Sequence, residues 1–191
     1  RVRRGKPSCH AFLSDAARQR FPHITPAERE RFGKNIAILA GDILHGWANT
    51  ALTRLHSDGV SQGVTTAIIA RLNNMLTPGL ISGETMDVEF EHRTAPDPGD
   101  IERMVQLKTA LLLRFTAETG AMIGLNTTST SDTIIQHLAG FAEKAGLAFQ
   151  MQDDILSVFG DADVIGKDEG ADIRQGKNTY LITTALADGS A

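Results

Sequence analysis

The chain has little cysteine, no excess of basic charge and no long hydrophobic run. Its single cysteine, Cys9, excludes an internal disulfide, which is typical of a protein from a reducing compartment. The longest apolar run is far shorter than the roughly 18 residues that a membrane-spanning helix requires. No segment has the layout of a secretory signal peptide. We therefore expect a cytoplasmic protein without a transmembrane segment.

The charge balance and the histidines exclude further classes of protein. A formal net charge of −4 argues against a nucleic-acid-binding protein, which usually carries a clustered basic face. The six histidines show no spacing typical of zinc ligands. No serine lies in a nucleophile-elbow context, and the phosphate-binding P-loop pattern is absent from the sequence. With 191 residues, the chain is expected to form one domain.

The hydrophobic periodicity predicts an all-α bundle, since no segment alternates with period two for long enough to form a convincing strand. Thr25, Pro26 and Glu28 resemble the start of a long helix that extends to about residue 55. Pro78 is expected to end the helix before it. The long helix is predicted to be a core helix, because one stripe of it is apolar: Ile36, Leu39, Ile43, Trp47, Ala51 and Leu55. The other expected helices cover about 11–19, 65–76, 80–91, 100–125 capped by Asp100, 133–159 capped by Ser131 or Asp132, and a last helix that begins near Thr179.

Two adjacent aspartates, Asp153 and Asp154, interrupt the apolar pattern of the predicted helix 133–159. Gly146, Gln150, Asp153 and Ser157 recur at i, i+4, i+7 and i+11, so they share one helix face. Asp154 lies about 100° round from that face. Oxygen ligands in this pattern suit a hard divalent cation, and they predict a Mg²⁺ site that holds a phosphate group.

Basic residues elsewhere could supply charge to the same site. Lys108 and Thr109 lie in the middle of a predicted helix, where a lysine that extends to the surface is the more ordinary interpretation. The glutamate and aspartate of the 80–91 helix, Glu84 and Asp87, are equally compatible with an exposed acidic face. Each signal is modest, but together they indicate diphosphate bound through Mg²⁺. Two segments rich in basic residues or glycine complete the pattern: the loop from Arg3 to Pro7, and residues 160–177 with Gly166-Lys167, Asp172 and Gly176-Lys177.

These residues also carry a resemblance to a known family. The chain resembles the trans-isoprenyl diphosphate synthases, of short- to medium-chain bacterial type, the head-to-tail prenyltransferases that make farnesyl, geranylgeranyl and related diphosphates. The family motifs occur in register along nearly the whole chain: Arg-Arg-Gly-x-Pro at 3–7, Ile-Leu-Ala-Gly-Asp at 38–42, Gly-Glu-x-x-Asp at 83–87, Lys-Thr at 108–109, Gly-Leu-Ala-Phe-Gln-x-x-Asp-Asp at 146–154, Gly-Lys at 166–167, and Asp172 with Gly176-Lys177.

The resemblance implies a helical bundle of the isoprenoid-synthase type around a central cavity, in a homodimer. It also implies that two Asp-rich motifs hold Mg²⁺ and an allylic diphosphate. Ionisation would release pyrophosphate and leave an allylic cation, which the double bond of isopentenyl diphosphate attacks. Loss of a proton would complete an all-trans product longer by five carbons.

The same resemblance assigns roles to individual residues. Asp153 would bind Mg²⁺ directly and Asp154 through water. Thr109 and Gln150 would stabilise the carbocation. The remaining roles concern cationic side chains: Lys108, Lys167 and Arg3 would contact the allylic diphosphate, Arg4 would contact isopentenyl diphosphate, and Lys177 would close over the site.

The chain departs from the family pattern at three places. Ser157 stands where the second Asp-rich motif usually ends in aspartate, and Glu84 stands where glutamine is usual. The first Asp-rich motif would precede Arg1, so residues 1–191 are expected to be an internal part of the domain, without its N-terminal helices and its C-terminal helices. An active prenyltransferase is the leading hypothesis. A non-catalytic partner subunit of a heteromeric synthase and, less favoured, a terpene cyclase on the same fold are the alternatives.

Overall fold

Helices form most of the chain in the computed structural model, which describes residues 2–3, 6–93, 97–160, 173 and 179–189. None of the helices in these ranges is both long and apolar enough to cross a membrane. The contacts divide the chain into two compact units, Arg1–Leu52 and Thr53–Ala191; one domain stays a prediction. The elements in chain order are β1 Val2–Arg3, β2 Lys6–Pro7, α1 Cys9–Arg20, α2 Pro26–Ser57, α3 Gln62–Arg71, a first π turn Leu72–Leu76, α4 Thr77–Phe90, α5 Pro98–Val105, a second π turn Gln106–Ala110, α6 Leu111–Gly124, α7 Thr133–Phe159 and α8 Tyr180–Asp188.

The N-terminal unit begins with two very short strands where a loop was expected. β1 and β2 pair antiparallel, with Val2 opposite Pro7. The predicted start of α2 is confirmed as a capping box. The backbone N–H of Thr25 donates to Glu28 Oε2 at 2.8 Å, and the N–H of Glu28 donates to Thr25 Oγ1 at 3.3 Å.

The prediction that α2 is a core helix is wrong for the described chain. The helix forms, but its large apolar side chains stay in contact with solvent: Leu39 is 55% exposed, Ile43 55% and Trp47 66%. An amphipathic pattern identifies the apolar face of a helix, but that face is buried only where another part of a protein packs against it. Gly33 is the one residue of α2 that the described chain buries.

The second unit contains the hydrophobic core. Its largest fully buried side chains come from α3, α5, α6 and α7. Of the two residues predicted to cap α7, Asp132 is the cap, and it accepts from the N–H of Ile134 at 2.8 Å. The predicted start of α8 near Thr179 is confirmed, and the side chain of Thr179 accepts from the N–H of Ile182 at 3.3 Å. The largest apolar side chains of this unit with less than 2% exposure are Val64, Ile68, Ile101, Met122 and Ile135.

Two expected boundaries in this unit are wrong. Pro78 does not end the preceding helix: the helical backbone continues through the first π turn into α4, with the proline as the second residue of α4. Asp100 is not the cap of α5. Asp97 caps it by accepting from the N–H of Gly99 at 2.8 Å, while Asp100 lies in the first turn of the helix.

Candidate functional site

Lys108 and Thr109 lie on the second π turn, between α5 and α6. The turn closes when the N–H of Leu111 donates to the carbonyl of Gln106, a span of five residues instead of the four of an α-helix. The extra residue changes the direction in which the following side chains leave the helix. Single π turns occur often at functional sites, because they aim side chains that regular helix geometry would direct elsewhere.

Two glycines let neighbouring helices approach this turn closely. A β-carbon at Gly83 of α4 would lie 2.5 Å from the backbone nitrogen of Lys108. A β-carbon at Gly146 of α7 would lie 2.6 Å from Cα of Ala110. Both distances are shorter than atoms tolerate, so any larger residue would force the backbones apart. The absence of two side chains therefore fixes the π turn against α4 and α7.

On the α4 side, the ammonium of Lys108 binds two carboxylates. Its Nζ is 2.6 Å from Oδ2 of Asp87 and 2.9 Å from Oε2 of Glu84. Burial lowers the pKa of Lys108, but the hydrogen bonds to Asp87 and Glu84 outweigh it, so the pKa is raised above its ordinary value. The lysine is therefore charged at neutral pH, and it is a partner of Glu84 and Asp87 rather than a side chain that simply extends into solvent.

On the α7 side, Thr109 begins a chain of hydrogen bonds. Its Oγ1 donates to Oε1 of Gln150 at 3.0 Å, and Nε2 of Gln150 donates to Oδ1 of Asp154 at 3.0 Å. The carboxylate of Asp154 is nearly buried, with 6% exposure. These contacts fix the orientation of the Gln150 amide, because its oxygen has a hydroxyl donor and its nitrogen a carboxylate acceptor.

Ser157 takes a local role in α7. It is 4% exposed, and its Oγ donates to the backbone carbonyl of Asp154 at 2.9 Å. A serine that bonds back to the preceding turn satisfies its hydroxyl without any ligand. The sequence pattern placed Ser157 on the same helix face as Gln150 and Asp153. In the structure its hydroxyl is buried and bonds to the backbone of its own helix.

A further polar group of α7, which the sequence analysis missed, also contacts the π turn. Glu143 of α7 accepts from Nε2 of Gln106, the first residue of the turn, and from Nη1 of Arg114 at 2.6 Å. Burial raises the pKa of Glu143, but these two hydrogen bonds outweigh it and hold the pKa below the ordinary value of 4.5. Gln106 and Arg114 precede Glu143 by 37 and 29 residues in the sequence, so no local pattern could have identified these contacts.

The aspartate doublet offers part of a metal site. Carboxylate oxygens suit Mg²⁺, and Asp153 and Asp154 occupy adjacent positions on α7, half-buried and buried respectively. Among the described residues, no third acidic, histidine or cysteine side chain joins them in a group that could hold a metal ion. The donor chemistry therefore fits Mg²⁺, and a Mg²⁺ site at this doublet stays a prediction.

Gln150 and Asp154 also border a cavity of about 10 Å³, together with Val105, Leu147 and Tyr180. This volume is about that of one water molecule. It is far too small for a diphosphate, so the cavity is not the substrate pocket.

Several residues predicted for the site cannot be placed with the others. The backbone of Arg3 lies in β1, in the N-terminal unit, and its side chain is outside the described structure. Arg4, Lys167, Asp172 and Lys177 lie outside the described residues. The structure therefore brings together Lys108, Thr109, Gln150 and the aspartate doublet. The roles of these residues, like those of the other cationic residues, stay predictions.

Comparisons with known proteins show the family and the fold. The family model for polyprenyl synthetase matches residues 1–191. The chain is 33% identical over 163 residues to farnesyl diphosphate synthase of Geobacillus stearothermophilus, which covers 85% of this chain and 53% of that relative. It is 33% identical over 180 residues to farnesyl diphosphate synthase of Escherichia coli, with 94% and 52% covered. The chain thus spans about half the length of the curated relatives it matches.

Solved structures show the same fold. The chain superposes with a TM-score of 0.79 and 29% identity on geranylgeranyl pyrophosphate synthase of Corynebacterium glutamicum, over 98% of this chain and 50% of that one. That protein was crystallised with isoprenyl diphosphate and magnesium. Geranylgeranyl pyrophosphate synthetase of Pyrococcus horikoshii gives a TM-score of 0.72 and 26% identity over 94% and 53%. The predicted all-α isoprenoid-synthase bundle is confirmed.

Proposed function

Because the chain belongs to the polyprenyl synthetase family, the trans-isoprenyl diphosphate synthases, we propose that the full-length protein condenses an allylic diphosphate with isopentenyl diphosphate. The C–O bond of the allylic diphosphate breaks and pyrophosphate leaves. A C–C bond then forms between the allylic cation and the double bond of isopentenyl diphosphate. A proton is lost, and the product is an all-trans prenyl diphosphate longer by five carbons.

One observation carries the proposal: the π turn directs Lys108 and Thr109 to two different neighbours. Lys108 meets the carboxylates of α4, and Thr109 meets Gln150 of α7 at 3.0 Å. The ammonium of Lys108 and the neutral oxygen-rich pair of Thr109 and Gln150 thus lie on opposite sides of the same turn. A substrate that dissociates into a diphosphate anion and a carbocation needs these two environments side by side.

Each group has a chemical role in this proposal. The ammonium of Lys108 binds the diphosphate as a point charge. The hydroxyl oxygen of Thr109 and the amide oxygen of Gln150 present negative dipole ends to the carbocation, and the bond from Gln150 to Asp154 keeps the amide from rotating. These groups stabilise opposite charges that exist together only when the C–O bond breaks, so they accelerate ionisation rather than only binding substrate.

Mg²⁺ is part of the proposal. Asp153 and Asp154 would hold the ion, which supplies charge neutralisation to the leaving pyrophosphate when bound. Arg3, Arg4, Lys167 and Lys177 are proposed to bind the two diphosphates, as the family resemblance implies. A homodimer and a cytoplasmic location are proposed on the same basis.

The test is an elongation assay with purified full-length protein, Mg²⁺, isopentenyl diphosphate and each allylic primer. We expect longer prenyl diphosphates and, in Asp153→Ala, a rate lower by on the order of 100-fold or more. Gln152→Ala, at the exposed neighbouring position, is the control and should retain activity. Near-normal turnover of Asp153→Ala would contradict the metal role.

The same assay separates the alternatives. Product formed only after addition of a second subunit would identify a non-catalytic partner of a heteromeric synthase. Hydrocarbon released without isopentenyl diphosphate would identify a terpene cyclase. Either result would replace the proposed function.

A further inference from the structure

Within the described part of the chain, the charges around Lys108 do not balance. One ammonium faces two carboxylates, Asp87 at 2.6 Å and Glu84 at 2.9 Å, so the three groups together carry one net negative charge. A lysine that binds diphosphate must offer it positive charge. Here the ammonium is already over-compensated before any anion arrives, which is an unfavourable starting point for binding one.

The two carboxylates are not equivalent. The side chain of Asp87 is 20% exposed, whereas that of Glu84 is 61% exposed. An ion pair with so much exposure contributes little free energy, because water screens it and the flexible side chain loses entropy. Glu84 can therefore leave Lys108 at small cost, while the shorter and more buried contact to Asp87 remains.

Their positions on α4 place both carboxylates on one side of the lysine. Glu84 and Asp87 are three residues apart, so they are neighbours on the same helix face. The backbone beneath them is fixed, since Gly83 lies directly against the backbone nitrogen of Lys108. A shift of the helices therefore cannot separate Lys108 from the two carboxylates. A change of its anionic partner must occur by movement of side chains.

We propose that Glu84 is a displaceable counter-anion that competes with the diphosphate for Lys108. Before substrate binds, Glu84 and Asp87 share the ammonium; when a diphosphate binds, its oxygen replaces the carboxylate of Glu84, and Asp87 keeps the lysine in place. Glu84 acts through Lys108 and therefore tunes affinity rather than chemistry. This inference rests on the proposed function for its substrate, but the competition itself can be measured without the reaction.

The variant Glu84→Gln tests it, since glutamine keeps the length of the side chain and removes its charge. We expect inorganic pyrophosphate to bind about three- to tenfold more tightly at low ionic strength, with the gain reduced as salt is added. Glu89→Gln is the matched control. It removes the same charge from the same helix at another exposed position, about 140° round, and should change affinity little.

The affinity for pyrophosphate is measured by isothermal titration calorimetry with full-length proteins. The wild type, Glu84→Gln, Lys108→Gln and the double variant form a double-mutant cycle, and Glu89→Gln is the control. If Glu84 acts through Lys108, the gain disappears in the Lys108→Gln background. A gain that persists there would show simple repulsion of the anion and overturn the proposal. Weaker or unchanged binding by Glu84→Gln, or no binding by either wild type or Glu84→Gln at millimolar pyrophosphate, would also overturn it.

Kinetics provide a second measurement. In Glu84→Gln, the KM for the allylic diphosphate should fall while kcat stays near the wild-type value, because only binding before ionisation changes. A wild type that binds pyrophosphate through Lys108 but elongates no primer would remove the proposed function and leave the competition intact. An active wild type whose Glu84→Gln variant shows no gain would remove only the competition.

Discussion

A glycine-to-alanine substitution at Gly146 tests how tightly the π turn must fit, and the chain offers a matched control. Gly140 lies on the same helix, α7, six residues earlier. Among the residues that the structure describes, a β-carbon at Gly140 would meet nothing within 4 Å beyond its own helix, whereas one at Gly146 would lie 2.6 Å from Cα and 3.0 Å from Cβ of Ala110. The same chemical change is therefore made once into open space and once into the backbone of the site.

The magnitudes follow from two opposing effects. Alanine is favoured over glycine in a helix by about 1 kcal/mol, and both variants gain this. At Gly146 the new methyl group also overpacks the contact with Ala110, which costs about 1–3 kcal/mol. We expect Gly140→Ala to raise the free energy of unfolding by about 1 kcal/mol and Gly146→Ala to lower it by about 0–2 kcal/mol. The difference between them is about 1–3 kcal/mol, measured by urea unfolding.

Activity should separate the two variants further. To relieve the clash at Gly146, Ala110 must move, and it carries its neighbour Thr109 away from Gln150. Displacements of about 1 Å at a reacting centre cost up to about 100-fold in rate, so kcat of Gly146→Ala should fall by about 10- to 100-fold. Its KM for the allylic diphosphate should change less, because Lys108 faces α4 on the other side of the turn.

The activities of the two variants are compared at a temperature at which circular dichroism shows both to be fully folded. If Gly146→Ala unfolds and turns over like Gly140→Ala, the close contact between Gly146 and Ala110 does not position Thr109. Loss of activity in both variants would equally refute it, since the control touches nothing.

Three further substitutions test the fold around the site. Arg71 of α3 donates from Nη2 to the buried carboxylate of Glu118 in α6. Glu118→Gln, which removes the charge of this carboxylate and leaves the guanidinium without its counter-charge, should lower the free energy of unfolding by about 3–5 kcal/mol. Arg71→Met with Glu118→Leu should recover most of the loss in urea unfolding, and no recovery would contradict a pairing role. Asp97→Ala should cost about 1 kcal/mol and Asp100→Ala less, because only the former caps α5; equal losses would contradict this. Glu143→Gln should lower Tm at pH 7, and the deficit should shrink as pH falls below about 4.5, because a lowered carboxyl pKa stabilises the fold only while the group is ionised; a deficit independent of pH would refute it.

Helix starts were the most predictable part of the fold. At Thr25, Asp132 and Thr179, the side chain and the N–H groups it accepts from are within three residues of one another, so the sequence contains the whole interaction. The cap of α5 shows the limit of this reasoning. Asp97 and Asp100 both precede apolar residues, and the choice between them depends on Pro98 entering the helix at its first turn.

Burial was less predictable than helicity. The stripe on α2 has the correct period, and the helix is formed, yet Trp47 and Ile43 are more than half exposed. Periodicity records the face that a helix would bury, and it contains no information about the surface that covers that face. For the same reason the apolar pattern could place Asp153 and Asp154 on a helix but could not tell which of the two is buried.

The π turns were beyond the sequence pattern, and one of them determines the site. In a regular helix Lys108 and Thr109 would leave the axis about 100° apart, with nothing to indicate which neighbours they meet. The structure settles this through contacts distant in sequence: Thr109 to Gln150 over 41 residues and Lys108 to Asp87 over 21. In the sequence, Glu84 and Lys108 are each compatible with an ordinary surface residue. In the structure they form an ion pair at 2.9 Å. Since the lysine's charge is already occupied, its affinity for an anion depends on how easily Glu84 leaves, and that quantity is a property of the pair rather than of either residue.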